Sequence, residues 1–334
     1  MRKALAIVLI FCVFSFSGCE RQVPSATETV YAMDTVMTLT AYGAEAKQAI
    51  ARGKAEILAM DDLLDRHDNS SAVAVLNRTG RTEEKTLCRL LETAQSMGAL
   101  SQGAFDPTVA GLLDLWGFGQ EQQRLPSSQE IAQALATVGN DRYVVDPGVC
   151  LLEDGCQVDL GGIAKGYVAG LVGEIYRQLG CTGTIDLGGD VSLVGKKQDG
   201  SDWRVAIKDP ANPSEFLGIL TCSDTFVVTS GVYERCFEQD GKRYHHLLDP
   251  ATGYPAESGL LSVTVICPVG EMADALSTAA FVLGSEKALA MKERSEIPFE
   301  LVMVTEEGNV LYTEGLQDQF HPETKGRYHY EILR

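Results

Sequence analysis

Between Arg142 and Ile266 the chain strings together short strand-like runs, "RYVVD", "CQVDL", "GTIDLGGDVSLVG", "WRVAIKD", "TFVVTSG", "YHHLLD" and "LSVTVI". A helix opened by "GGIAKGYVAG" interrupts them once, and most of the helical signal lies before and after this region. A doubly wound parallel sheet needs strict alternation of strand and helix, which is absent here. The pattern predicts an α+β fold of mixed, mainly antiparallel sheets with packed helices, and the chain length suits one large domain or two closely associated lobes.

The flanking elements are legible from their periodicity. Residues 31–43, "YAMDTVMTLTAYG", alternate apolar and polar side chains and predict one strand. "AKQAIARGKAEILAMDDLLDRH" places Ile50, Ile57, Leu58 and Leu64 at helical spacing. "EEKTLCRLLETAQSMGALSQG" predicts a second helix ending at a glycine. In "SSQEIAQALATVG" the cap is Ser127 or Ser128, with Glu130 in the first turn. Near the other end, "ADALSTAAFVLG" and "EKALAMKERS" read as helices, and "FELVMVT" with "NVLYTEG" as a hairpin.

The first residues predict a destination. Arg2 and Lys3 precede an apolar run from Ala4 to Phe14, then Ser17, Gly18 and Cys19. A charged start, a short apolar core and a small-residue exit describe an export signal too short to span a bilayer. Cys19 directly after "FSFSG" fits a lipoprotein signal over residues 1–18, lipid attachment at Cys19, a polar tether over 19–29 and a folded region over 30–334. The expected location is the extracytoplasmic face of the cell membrane, held by the lipid. A net charge of -18 leaves no basic surplus for nucleic acid or for an anionic membrane surface. Of the cysteines, Cys150 and Cys156 are near enough in sequence to bridge a hairpin, while Cys88, Cys181 and Cys267 sit in apolar contexts. No CxxC occurs to suggest a zinc or thiol-redox site.

Several stretches could carry chemistry. "VDLGGIAKGYVAG" (158–170) runs from a strand end into a helix, with Asp159 before the turn and Lys165 just inside. Small residues at such a junction let backbone groups face an anion or a metal. Its spacing matches neither the dinucleotide fingerprint nor the P-loop. "GTIDLGGDVSLVG" repeats Asp-Leu-Gly-Gly with Asp186 and Asp190, and reads most simply as a hairpin turn. "ADALSTA" places Asp274 and Thr278 on one helix face, a hard-oxygen pair of the kind magnesium takes. Read alone it is a helical first turn with an aspartate near the dipole. In "RYHHLLDPATGYP", Asp249-Pro250 and Gly253 lock a turn behind His245 and His246, a turn that either ends a strand or aims His246.

"MDT" (33–35), "GAFDPTVAGLLDLWGFG" (103–119), "VDLGGIAKGYVAG", "GTIDLGGDVSLVGKK", "HHLLDPATGYP" and "ADALSTAAFVLG" occur in an order that resembles the ApbE family, bacterial FAD:protein FMN transferases that are usually lipoproteins. The resemblance covers residues from about 30 to the C-terminal hairpin and implies an ApbE-like, T-fold-related architecture. It implies an enzyme that uses Mg²⁺ and FAD, moving FMN onto a Thr or Ser of an exported acceptor protein and releasing AMP. By the same resemblance, Met33, Ala104, Phe105, Asp106, Asp159, Lys165 and Leu248 contact the flavin nucleotide. Asp274, Thr278 and the carbonyl of Gly162 hold the metal, and His246 accepts the hydroxyl proton, with His245 its structural neighbour. Asp274 is the other candidate base.

One position departs from the family pattern. His67 stands in "LLDRHDNSSAVAVLN" where the family usually has an aromatic, often tyrosine, lying against the nucleotide. This keeps open an FAD pyrophosphatase giving FMN and AMP, beside a non-catalytic FAD-binding lipoprotein. Trp116 in "LWGFG" reads as core packing.

Overall fold

The computed structural model describes residues 23–118, 120, 122–146, 148–323 and 327–334. Residues 1–18 and Cys19, expected to be signal and lipid site, lie outside the described residues. The chain opens with β1 (Ser25–Ala32), β2 (Thr35–Tyr42), α1 (Ala46–Leu64), α2 (Ala72–Thr79), β3 (Arg81–Thr82) and α3 (Lys85–Leu100). A 3-10 turn (Pro107–Val109) leads to α4 (Ala110–Trp116), α5 (Ser128–Leu135), β4 (Tyr143–Asp146), β5 (Val149–Leu152) and α6 (Ala164–Gln178). Then come β6 (Thr182–Leu187), β7 (Asp190–Val194), β8 (Trp203–Asp209), β9 (Asn212–Cys222), β10 (Thr225–Gly231), β11 (Cys236–Gln239), β12 (Lys242–His245) and β13 (Leu260–Cys267). The remaining elements are α7 (Gly270–Leu283), α8 (Ser285–Arg294), β14 (Glu300–Thr305), β15 (Asn309–Thr313), β16 (Phe320–Pro322) and β17 (His329–Leu333).

A nine-stranded sheet in the order β1-β2-β6-β7-β10-β13-β14-β15-β17 forms the frame. Its neighbours are antiparallel except β15 and β17, which run parallel. On one face Met37, Leu39, Ile185, Leu187, Val228 and Val263 pack against α1, α6 and α7 in the main core. On the other face Leu193, Val227, Ile266, Val302 and Val310 pack against the small sheet β16-β9-β8. A third apolar cluster joins α4 and α5 to Leu248 and the β11–β12 hairpin. This is the α+β, mainly antiparallel architecture the strand succession predicts. None of the described helices is long and apolar enough to cross a membrane.

Four local expectations change. The strand expected over 31–43 is a hairpin, turning at Met33 (φ 48) and Asp34 (φ 58). Neither residue is glycine, so no sequence signal marks the left-handed turn. The first strand takes in residues 25–29, which the sequence assigned to a tether, because this polar stretch pairs with residues 38–42 of β2. "CQVDL" forms no strand. Asn77 takes both main-chain groups of Val158, donating to its carbonyl at 2.9 Å and accepting its N–H at 2.8 Å. Cys150 and Cys156 are both free and buried.

Candidate active site

Three turns meet at one end of the main sheet: Met33–Asp34, Gly188–Gly189 between β6 and β7, and the segment after β10. The N-terminal half of α6 reaches the same end, and α7, packed antiparallel to it, brings Asp274 and Thr278 there from its middle. The two helices touch through backbone: a Cβ on Gly166 would overlap the Gly270 carbonyl, and one on Gly270 would overlap that of Gly166. This approach lets the Gly166 N–H donate to Asp274 Oδ2 at 3.0 Å. Asp274 lies in the second turn of α7, not in the first, so its carboxyl is spent on the site and not on the helix end.

Lys165, Asp190 and Asp274 form the buried centre. Lys165 makes an ion pair with Asp190, which is 2% exposed. Burial opposes the Lys165 charge, but Asp190, Asp274 and Glu234 outweigh it and hold the ammonium. Burial pushes the Asp274 carboxyl up to about 7, with Lys165 opposing and Asp190 and Glu234 adding. Gly162 and Thr278 complete this corner: a Cβ on Gly162 would lie 3.4 Å from Thr278 Oγ1 and 3.2 Å from the Phe105 ring. A side chain at Gly162 would crowd the Phe105 ring by a few tenths of an ångström and touch Thr278. One carboxylate, one hydroxyl and one carbonyl are the hard oxygen donors that Mg²⁺ takes beside water and phosphate, so the residues fit that ion. Among the described residues no cluster of three or more His, Cys, Asp or Glu competes as a metal site.

His246 stands over the same end. Its N–H donates to the Arg235 carbonyl at 3.0 Å, and its Nδ1 lies 3.3 Å from that oxygen. A carbonyl only accepts, so the proton sits on Nδ1 and leaves the Nε2 lone pair available. Burial pushes the imidazole down to about 3, helped by Arg235, His245 and Lys165, and keeps it neutral. His245 is buried, edge-on to Phe281 at 5.4 Å, which is the structural part expected of it. The turn behind them is cross-braced. Asp249 accepts from Thr252 and Gly253 through its carbonyl and from Ala251 through its side chain, and Gly253 takes φ 74. Trp116 is fully buried and donates its indole N–H to the Gly253 carbonyl at 2.9 Å. The core tryptophan thus props the turn.

The other expected residues line the approaches. Asp159 accepts from Gly161 N–H at 2.7 Å and from Arg66 Nε at 2.5 Å. Arg66 extends its other nitrogens to Asp114 at 2.8 and 3.1 Å. Phe105 is fixed by Ser101 and Asn140, and Asp106 caps the 3-10 turn by accepting from Thr108. Burial pushes the Asp106 carboxyl up. Ala104 is buried beside them. Met33 is held by its N–H to Asp61 at 2.8 Å, and Asp34 pairs with Arg235 at 3.6 Å, linking this turn to the His246 loop. Leu248 is buried in the Trp116 cluster. His67 is exposed, its N–H on Asp65. The centre therefore gathers Gly162, Lys165, Asp274, Thr278, Phe105 and His246. Met33, Asp159 and His67 stand at its edge, and Leu248 supports it from behind.

Sequence reasoning missed Arg66, Asp61, Asn77 and Glu234. Arg66 immediately precedes His67 in a stretch already singled out, yet nothing in one sequence says that an arginine folds inward.

Known proteins match this chain in sequence and in fold. The ApbE family model matches residues 33–302. An FAD:protein FMN transferase from Klebsiella pneumoniae (strain 342) is 34% identical over 283 residues, 82% of this chain and 86% of that protein. One from Escherichia coli (strain K12) is 30% identical over 331 residues, 92% and 94% of the two chains. The crystal structure of the ApbE protein from Thermotoga maritima superposes with a TM-score of 0.84 at 31% identity, covering 89% of this chain and 99% of that one. The apo flavinyl transferase ApbE from Pseudomonas stutzeri gives 0.79 at 31%, over 90% and 98%. The family model, the sequence identities and the fold agree: the chain belongs to the ApbE family.

Proposed function

We propose that this protein transfers FMN from FAD to a Ser or Thr hydroxyl of an acceptor protein and releases AMP, with Mg²⁺ held by Asp274, Thr278 and the Gly162 carbonyl. The observation that carries the reading is the neutral His246, with Nε2 free, beside the Lys165–Asp274 centre. The acceptor oxygen forms a bond to the FMN phosphorus while the bond from that phosphorus to the bridging oxygen breaks. The bridging electron pair leaves with AMP, and the hydroxyl proton passes to His246 Nε2. Lys165 supplies a fixed positive charge where the pyrophosphate lies. When bound, Mg²⁺ neutralises charge that develops on the leaving phosphate. Arg66, shared between Asp159 and Asp114, offsets part of the carboxylate charge at the nucleotide edge. The anchor belongs to the same proposal: lipid on Cys19 would hold the enzyme on the extracytoplasmic face, where its acceptors are exported.

Hydrolysis of FAD to FMN and AMP is the competing reading, favoured by an exposed His67 in place of the family's aromatic. One experiment separates the two. Purified protein is incubated with FAD and Mg²⁺, with and without an exported acceptor domain, while AMP and the acceptor's intact mass are followed. AMP release that tracks an FMN-sized mass gain supports transfer. Equal AMP without acceptor and without adduct means hydrolysis, and His67→Tyr should then shift the balance toward transfer. FAD binding with no AMP in either arm refutes catalysis.

A further inference from the structure

The small sheet has an open side. In the order β16-β9-β8, strand β8 is paired on one edge only. Thr221 N–H donates to the Gln319 carbonyl and the Leu217 carbonyl accepts from Glu323, so the odd-numbered residues of β9 face β16. By the alternation of an antiparallel ladder, the even-numbered residues of β9 bond to Trp203, Val205 and Ile207. Arg204 and Ala206 therefore turn their N–H and C=O groups outward. Among the described residues no strand takes that edge.

A groove of about 310 Å³ runs along it, walled by all of residues 203–208 and floored by the main sheet at Thr184, Val191 and Thr229. Its far end is fixed by Trp203, whose indole donates to the Gly195 carbonyl at 2.8 Å. Its near end is closed by Gly189, Tyr233 and Glu234. The Glu234 carboxyl interacts with Lys165, Asp190 and Lys208, and the next residue, Arg235, holds His246 through its carbonyl. The groove thus ends at Glu234, one residue before Arg235, whose carbonyl holds the proton acceptor. Arg204 and Lys208 on one wall face Asp186 and Glu234 on the other, so polar main chain is matched by both signs of charge.

We propose that an extended segment of the acceptor protein docks here by adding a strand to β8, which delivers its hydroxyl residue to His246. This rests on the transferase reading above. A protein substrate brings main chain on both sides of its hydroxyl, and a free strand edge pairs with main chain whatever its side chains. Residues 203–208 offer roughly 20 Å of edge, enough for several acceptor residues upstream or downstream of the reacting one.

The test uses Ala206→Pro, which removes an outward N–H at an edge position where proline is tolerated, and Thr184→Tyr, which fills the groove floor. Melting temperature confirms folding, and quenching of flavin fluorescence reports FAD affinity. The probe is an exported domain that the wild-type protein flavinylates. Expected is a KM for that domain about tenfold higher in each variant, with FAD affinity unchanged. Unchanged KM in both variants refutes the groove while leaving the transferase reading intact. A fall in FAD affinity parallel to transfer also refutes it, assigning the groove to the nucleotide. So does a photo-crosslinker at position 206 that captures residues 1–22 of this chain in place of the acceptor. A wild-type protein that cleaves FAD but modifies no hydroxyl-bearing protein overturns the functional reading, and the docking proposal with it.

Discussion

Gly166→Ala tests the geometry of the site with the addition of one methyl group. Gly166 sits where α6 crosses α7, and a Cβ there would overlap the Gly270 carbonyl and stand 2.9 Å from the Asp274 Cβ. The helices must part by roughly 1 Å, because a packed interior cannot absorb the overlap otherwise. Overpacking of this kind costs about 1–3 kcal/mol, against which alanine regains about 1 kcal/mol of helix propensity. The net loss, about 0–2 kcal/mol, lowers the melting temperature by a few degrees at most. Activity should suffer far more. The Gly166–Asp274 hydrogen bond and the Gly162–Thr278 corner both span the crossing, and a displacement of about 1 Å in such a constellation costs about 100-fold in rate. The assay is the rate of AMP release under Mg²⁺ titration, beside a thermal melt of the same sample. Gly270→Ala should reproduce the effect from the other helix, since its Cβ meets the Gly166 carbonyl and stands 2.8 Å from Phe226. Rates within about twofold of wild type in both variants would refute the argument that this contact sets the site.

Asp274→Asn should abolish Mg²⁺-dependent turnover, by about 100-fold or more, without lowering the melting temperature, since it keeps an acceptor for Gly166 and removes a buried charge. Wild-type turnover in that variant would exclude Asp274 from the site. Trp116→Phe leaves the Gly253 carbonyl without its buried donor and should cost about 1–3 kcal/mol by denaturant titration, with a fall in turnover as the turn behind His246 loosens. His245 makes stability depend on pH. Burial pushes its pKa from 6.5 down to about 4, so between those values the unfolded chain binds a proton that the folded chain refuses. Stability should fall as pH drops from about 6.5 toward 4, by up to about 3 kcal/mol from this group, and level off below. His246, pushed down to about 3, adds a limb of the same sign, so His245→Leu should remove about half of the slope between pH 6.5 and 4 in urea titrations, and an unchanged slope would contradict the assignment.

Features that depend on neighbours in sequence were legible. The β6–β7 hairpin follows from "DLGGD", the cap of α5 from Ser127 and Glu130, and the Asp274–Thr278 face of α7 from helical spacing. The expected site residues come together because they flank turns and helix starts, which glycine and proline mark in the sequence. What escaped depends on distant partners. "CQVDL" has the composition of a strand, but Asn77 satisfies Val158 from 81 positions away. The hairpin at Met33 takes a left-handed turn without glycine because Asp61, 28 positions away, binds its N–H. β9 carries no clear strand signal because its opening "NPSEF" reads as a loop, and β17 none because it finds its parallel partner only after β16 has crossed to the small sheet. Arg66 is the clearest case: a charged residue in a polar stretch is expected in solvent, and two carboxylates from elsewhere in the chain draw it inward.

The strand order of the main sheet has a consequence for how the molecule is made. From β1 to β17 each strand lies beside the previous member of the same sheet in the chain, without a single inversion. A chain that emerges N-terminus first can therefore lay down this sheet progressively, every incoming strand meeting an edge already formed. No early strand has to wait, exposed and sticky, for a partner from the far end. Assembly can keep pace with delivery, whether from a ribosome or through a narrow channel that passes only unfolded chain.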